Sequence, residues 1–162
     1  MLFNTLEFAL FFPVVFVLYW FVTRGSLRLQ NVMLLAVSYY FYSCWDPRFL
    51  LLLIFSTFLD YFSGLQIHRV PTKALKRTWL IISVGINLGF LGVFKYYNFF
   101  AESFASLVSS VGFEAHPVFL SVVLPVGISF YTFHGLSYVF DIYYERIKPT
   151  TDPVDYALFV GF

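Results

Sequence analysis

Residues 125–144 read PVGISFYTFHGLSYVFDIYY, and within them Gly127, Tyr131, His134, Tyr138 and Asp141 recur at intervals of three and four. Such intervals place all five on one stripe of a helix whose other positions are mainly Phe, Val, Ile and Leu. The stripe carries an imidazole, two phenols and a carboxylate, so proton transfer is the chemistry to weigh. His134 is the one histidine of three that falls inside an apolar segment, which makes it the candidate general base. A base also needs an orienting group and a nucleophile within about 3 Å. The only groups the sequence offers are Tyr131, Tyr138 and Asp141 on the same stripe, and the simpler reading of His134 is a hydrogen bonder facing other helices. In either reading the stripe faces protein or water, because polar groups turned toward hydrocarbon cost several kcal/mol each when left without a partner.

Asp60 and Asn87 form a second polar set. Asp60 lies about 16 Å from one end of its apolar segment, and Asn87, in the next and antiparallel segment, lies about 18 Å from the same side of a ~30 Å core. The matched depths predict a hydrogen bond between them. A substrate or proton site is the functional reading of the pair, and an interhelical clamp is the structural reading that we favour. His68 falls in a basic connection and His116 precedes Pro117 at a helix start, so both read as solvated or capping residues. Ser129 and Thr132 lie a turn apart, a spacing at which hydroxyls bond the preceding carbonyls. The single cysteine, Cys44, rules out an intrachain disulfide and a cysteine metal cluster, and no metal-ligand spacing is found. Glycine-rich phosphate loops, His-Glu-x-x-His and Gly-x-Ser-x-Gly are absent from the sequence.

The elements that position these groups are membrane helices. Of 162 residues, 60% are hydrophobic and 12% charged, about half the charged share of a soluble domain. The aromatic share of 23% includes Trp20, Trp45 and Trp79, each at the end of an apolar run, as in an interfacial belt. Five spans are read at 8–22, 29–45, 49–67, 79–100 and 118–140, with a sixth opening at Tyr156. Between the fourth and fifth, Phe100, Phe104, Leu107 and Val111 share a face opposite Glu102, Ser106 and Ser109. The segment 98–111 is therefore expected as a separate interfacial helix rather than a continuation of the fourth span. No Lys or Arg precedes Arg24, so the first segment reads as a retained span and not as a cleaved signal. No basic stripe interleaved with aromatics suggests nucleic acid.

Arg24, Arg28, Arg69, Lys73, Lys76, Arg77, Arg146 and Lys148 fall on one side of this topology, and only Arg48 and Lys95 on the other. The asymmetry puts the N-terminus outside and the 69–77 loop in the cytoplasm.

The run LPVGISFYTFHGLSYVFDIYY resembles the membrane-bound O-acyltransferases, most closely the branch that holds the alginate O-acetyltransferase. MLFNTLEFALFFPVVFVLYW, SYYFYSCWDPRFLLLLIFSTFLDYFSG and LGFLGVFKYYNFF agree with it in order and spacing. The resemblance implies transfer of an acyl group from a thioester donor to a hydroxyl, with a catalytic histidine in a Trp-His context well downstream. The sequence has no Trp-His pair, so that role is carried over to no residue here, His134 included. The chain is therefore expected to be an all-α polytopic transmembrane bundle, residues 1–162 forming the N-terminal part of a truncated bacterial inner-membrane O-acyltransferase. Its implied partners are the lipid bilayer, an acceptor polysaccharide such as alginate and other polysaccharide-modification proteins. A cofactor is not expected beyond the acyl thioester. The rival classes are a small transporter or channel subunit, which would be expected to show broken helices in repeated halves, and a non-catalytic membrane scaffold.

The charge asymmetry makes the orientation testable. In a Cys44-free background, single cysteines placed in the 69–77 loop should resist a membrane-impermeant thiol reagent added to intact cells. Ready labelling there, with protection near Glu114, would invert the topology.

Overall fold

The computed structural model describes residues 5–110 and 127–162, apart from the side chains of residues 98, 101, 102 and 105. His116, Glu114 and the first part of the expected fifth span lie outside the described residues. Among the described residues the regular structure is helical throughout. It comprises α1 (Leu6–Val17), running on into a π-helical turn (Leu18–Val22), α2 (Leu27–Ser43), α3 (Pro47–Arg69), α4 (Lys73–Ser110), α5 (Ile128–Tyr143) and α6 (Pro153–Gly161).

Local chemistry sets most of the helix ends. Thr5 and Ser26 cap α1 and α2 by accepting from Phe8 N and Leu29 N, each at 3.4 Å. α3 and α6 begin alike, with an Asp-Pro pair. Asp46 Oδ1 accepts from Arg48 N and Asp152 Oδ1 from Val154 N, both at 2.8 Å, while the proline at the first position has no N–H to satisfy. Thr23 closes the π-helical turn by donating to Tyr19 O at 3.0 Å. α5 ends in a paired-carbonyl motif in which Glu145 N–H bonds Ile142 O at 3.0 Å and Arg146 N–H bonds Asp141 O at 2.8 Å. Glycine usually occupies the left-handed position of that motif. Here it is Glu145, at φ 59°.

α3 and α4 are long and apolar enough to cross a membrane, α4 by its segment Lys73–Tyr97, whereas the apolar helix Leu6–Val22 is shorter. One expectation is corrected. The segment 98–110 is not a separate interfacial helix but the uninterrupted continuation of α4, a helix of 38 residues. No Gly or Pro lies between Lys95 and Ser110, so nothing interrupts the backbone hydrogen bonding. At 1.5 Å per residue the helix is about 57 Å long, well beyond a ~30 Å hydrocarbon core.

α3 is the hub, packed against α2, α4, α5 and α6. Its buried positions Phe49, Leu53, Ser56, Asp60, Ser63 and Ile67 step by four and three, the seam of helices crossing at a shallow angle. Small and polar residues occupy the middle of this seam, while Leu51, Phe55 and Phe58 are exposed. In lipid, burying large apolar side chains between helices gains little, and close approach through small residues and hydrogen bonds takes over. Gly135 of α5 supplies one such approach, because a Cβ there would collide with the Asp60 carboxylate. Gly64 of α3 supplies another, where a Cβ would lie 2.8 Å from Ile142 Cδ1 and 2.9 Å from Tyr138 Cε1.

Gly135→Ala should therefore destabilise the protein by about 1–3 kcal/mol, since the carboxylate it meets is held by hydrogen bonds and cannot swing away. Gly85→Ala meets nothing within 4 Å and should be neutral or stabilising. Thermal unfolding in nanodiscs compares the two. Equal midpoints would show that α5 does not approach α3 at Gly135.

Candidate functional site in the helix interior

Ser56 and Asp60 on α3 and Ser83 and Asn87 on α4 are pairs spaced by four, so each pair lies on one face of its helix. The helices run in opposite directions out of a short loop, and the two pairs meet at one level. Asp60 Oδ1 accepts from Ser83 Oγ at 2.6 Å and from Asn87 Nδ2 at 2.7 Å. Asn87 Nδ2 also donates to Ser83 O at 3.1 Å, and Asn87 Oδ1 accepts from Ser56 Oγ. All four residues are at most 3% exposed. Asp60 and Asn87, predicted at matching depth, are thus bonded directly. Ser56, Ser83 and Gly135 were not singled out from the sequence. Their spacing of four from Asp60 and Asn87 was the signal that could have found the two serines.

The stripe on α5 divides. Tyr131 and Tyr138 are buried, while His134 and Asp141 lie half-buried at the edge of the packed face. Gly127 is corrected outright: it is the N-cap preceding α5, in the left-handed region at φ 77°, and is not a position on the helical stripe. Glycine adopts that conformation at no steric cost. Asp141 turns to Arg146 at 3.3 Å, on the rim of the bundle. Tyr138 Oη accepts from Thr150 N at 3.1 Å, and Tyr61 Oη donates to Thr151 O at 2.9 Å. These two phenols hold the connection between α5 and α6. Their rings flank that of Tyr156, with centroids 4.4 Å and 5.7 Å away.

His134 sits edge-on to Phe159 of α6, ring centroids 4.3 Å apart, and beside Phe130 at 5.3 Å. With Ser129, Phe133 and Ser137 it borders a shallow open groove. Among the described residues its imidazole makes no hydrogen bond to a carboxylate or hydroxyl, and no three His, Cys, Asp or Glu side chains converge on a metal position. The hydroxyls of Ser63, Tyr131 and Tyr156 are buried without a hydrogen-bonding partner among the described residues. At the basic end of α4, Lys76 Nζ bridges Glu145 at 2.9 Å. That hydrogen bond and charge hold the Glu145 carboxyl below the usual carboxylate range, and Lys73 and His68 add to the effect.

The chain is 38% identical, over 94% of its length, to a protein of Pseudomonas putida named probable alginate O-acetylase AlgI, and 40% identical over the same share to its namesake in Pseudomonas aeruginosa. It is 32% identical over its whole length to the peptidoglycan O-acetyltransferase of Helicobacter pylori. Over nearly its whole length the chain is thus similar to proteins named as polysaccharide O-acetylating enzymes. The resemblance drawn from its motifs is borne out. The chain spans about a third of the length of these relatives, 31%, 29% and 35% respectively. No family model and no solved structure matches it.

The interior network joins two helices, since Ser56 and Asp60 of α3 are bonded through their side chains to Ser83 and Asn87 of α4. In a double-mutant cycle of Asp60→Ala and Asn87→Ala, followed by unfolding in nanodiscs, the coupling should be about 0.5–2 kcal/mol. Additive effects would mean that the 2.7 Å contact contributes nothing to stability.

Proposed function

We propose that the chain is the N-terminal membrane portion of an O-acyltransferase that acetylates an exported polysaccharide such as alginate. Identity of 38–40% to alginate O-acetylases across 94% of the chain carries this reading. In it, the spans are α1 with its π-helical turn, α2, α3, α4 and a fifth ending in α5, and α6 opens a sixth. The protein lies in the bacterial inner membrane with its N-terminus outside and the 69–77 loop in the cytoplasm. An acyl thioester supplies the group, an acceptor polysaccharide receives it, and other polysaccharide-modification proteins present the acceptor.

The part of the reaction assigned to this chain is support. Acyl transfer to a sugar hydroxyl needs a base to take the hydroxyl proton as the oxygen attacks the acyl carbon, an effect worth about 10²–10⁴ in rate. His134 is packed edge-on to Phe159 and has no orienting carboxylate among the described residues, so it is poorly placed to be that base. The Asp60–Ser83–Asn87 network and the Gly135 contact hold α3, α4 and α5 in register. The catalytic histidine of this reading lies in the portion of the relatives that the chain does not cover.

Purified chain in nanodiscs should release no more free thiol from an acyl thioester than empty nanodiscs, with or without polysaccharide. Turnover above that control that disappears in His134→Ala would make His134 the base and overturn the division of labour proposed here.

A further inference from the structure

Three elements bring their cations to one end of the helix hairpin that is long and apolar enough to cross a membrane. Arg69 ends α3, Lys73, Lys76 and Arg77 occupy the first turns of α4, and Arg146 and Lys148 follow α5. Among the described residues, Asp141 and Glu145 are the acids in ion pairs with this set, Asp141 with Arg146 and Glu145 with Lys76, while Lys73 acts on Glu145 at longer range. Lys73 and Arg77, both exposed, carry no ion pair among the described residues. They are spaced by four on α4, where like charges repel, and they stand at the helix end whose dipole disfavours cations. The cluster is therefore electrostatically unfavourable unless an anion joins it. Glu145 shows that it draws one: this residue is held in the left-handed conformation, at φ 59°, with its carboxylate on Lys76.

The level of the cluster says which anion. Trp79, packed edge-on to Phe62 of α3 at 5.5 Å, stands at the start of the apolar run of α4, the kind of position interfacial indoles take. Arg77 and Lys73 lie about 3 Å and 9 Å farther along the axis at 1.5 Å per residue, which is the depth of the headgroup phosphates. We propose that Lys73 and Arg77, with Lys76 beside them, form a site for the phosphate of an anionic phospholipid headgroup. Glu145 competes with that phosphate for Lys76. The site is independent of the acyl-transfer reading and needs only the α3–α4 hairpin to be in the membrane.

Trp79 reports occupancy. In the full chain with Trp20→Phe and Trp45→Phe, Trp79 fluorescence is measured in phosphatidylcholine nanodiscs. These contain equal fractions of brominated phosphatidylglycerol or brominated phosphatidylcholine. The anionic lipid should quench more, and the preference should fall about fivefold for each cation removed in Lys73→Gln and Arg77→Gln. Glu145→Gln, which removes the competing carboxylate, should raise the preference. Equal quenching by the two lipids, or a preference that survives the double Lys73→Gln/Arg77→Gln variant, overturns the site. Inorganic phosphate is the arm for a soluble ligand. If it abolishes the preference where chloride at equal ionic strength does not, the site takes free phosphate and the headgroup assignment fails.

Discussion

A carboxylate in the middle of an apolar helix must find hydrogen-bond donors, because burying it bare costs more than a single domain's stability can absorb. Asp60 finds them on one neighbour, with Ser83 and Asn87 of α4 both donating to the same oxygen. Only one alignment of α3 against α4 puts the two donors there. Sliding either helix by a turn of about 5.4 Å would leave the carboxylate and the Asn87 amide unpaired. The hydrogen bonds thus set the register of the hairpin, where the apolar surfaces alone would tolerate several.

The third helix docks onto this pair through an absence. Gly135 lets the backbone of α5 press against the Asp60 carboxylate, and Gly64 lets Tyr138 and Ile142 press against α3. Buried are Ser56, Thr57 and Thr132, while many of the large aromatic and aliphatic side chains face outward. A water-soluble helical protein shows the opposite arrangement. Here the solvent for the outer face is hydrocarbon, so stability comes from close backbone approach and satisfied polar groups.

Tyrosines extend the same logic to the connections. Tyr138 and Tyr61 reach out of the packed layer to Thr150 and Thr151, tying the α5–α6 connection back to α3 and α5. Their rings bury Tyr156 between them. His134, one turn before Tyr138, is used differently: its ring fills an aromatic contact with Phe159, and its nitrogens have no orienting group among the described residues. The polar stripe of α5 is therefore mostly a packing surface with one phenolic tether, Tyr138. This agrees with a supporting part in the acyltransferase reading.

Much of this was legible in the residues. Asp-Pro at 46–47 carries the signal for the start of α3. The rise of 1.5 Å per residue put Asp60 and Asn87 at one depth before any contact was known. Those features depend on chain-local geometry, which sequence spacing encodes directly. Tertiary structure decided the rest. Helical spacing says which residues share a face but not which face a neighbour covers, so the stripe through Tyr131 and Tyr138 lost His134 and Asp141 to the rim. It also could not say whether a glycine is a cap, as at Gly127, or a contact, as at Gly135, because that depends on what approaches it. The amphipathic pattern of 98–110 suggested a separate helix, yet the backbone runs straight through it from α4. Amphipathicity reports on the surroundings of side chains, and only a break in the backbone hydrogen bonds ends a helix.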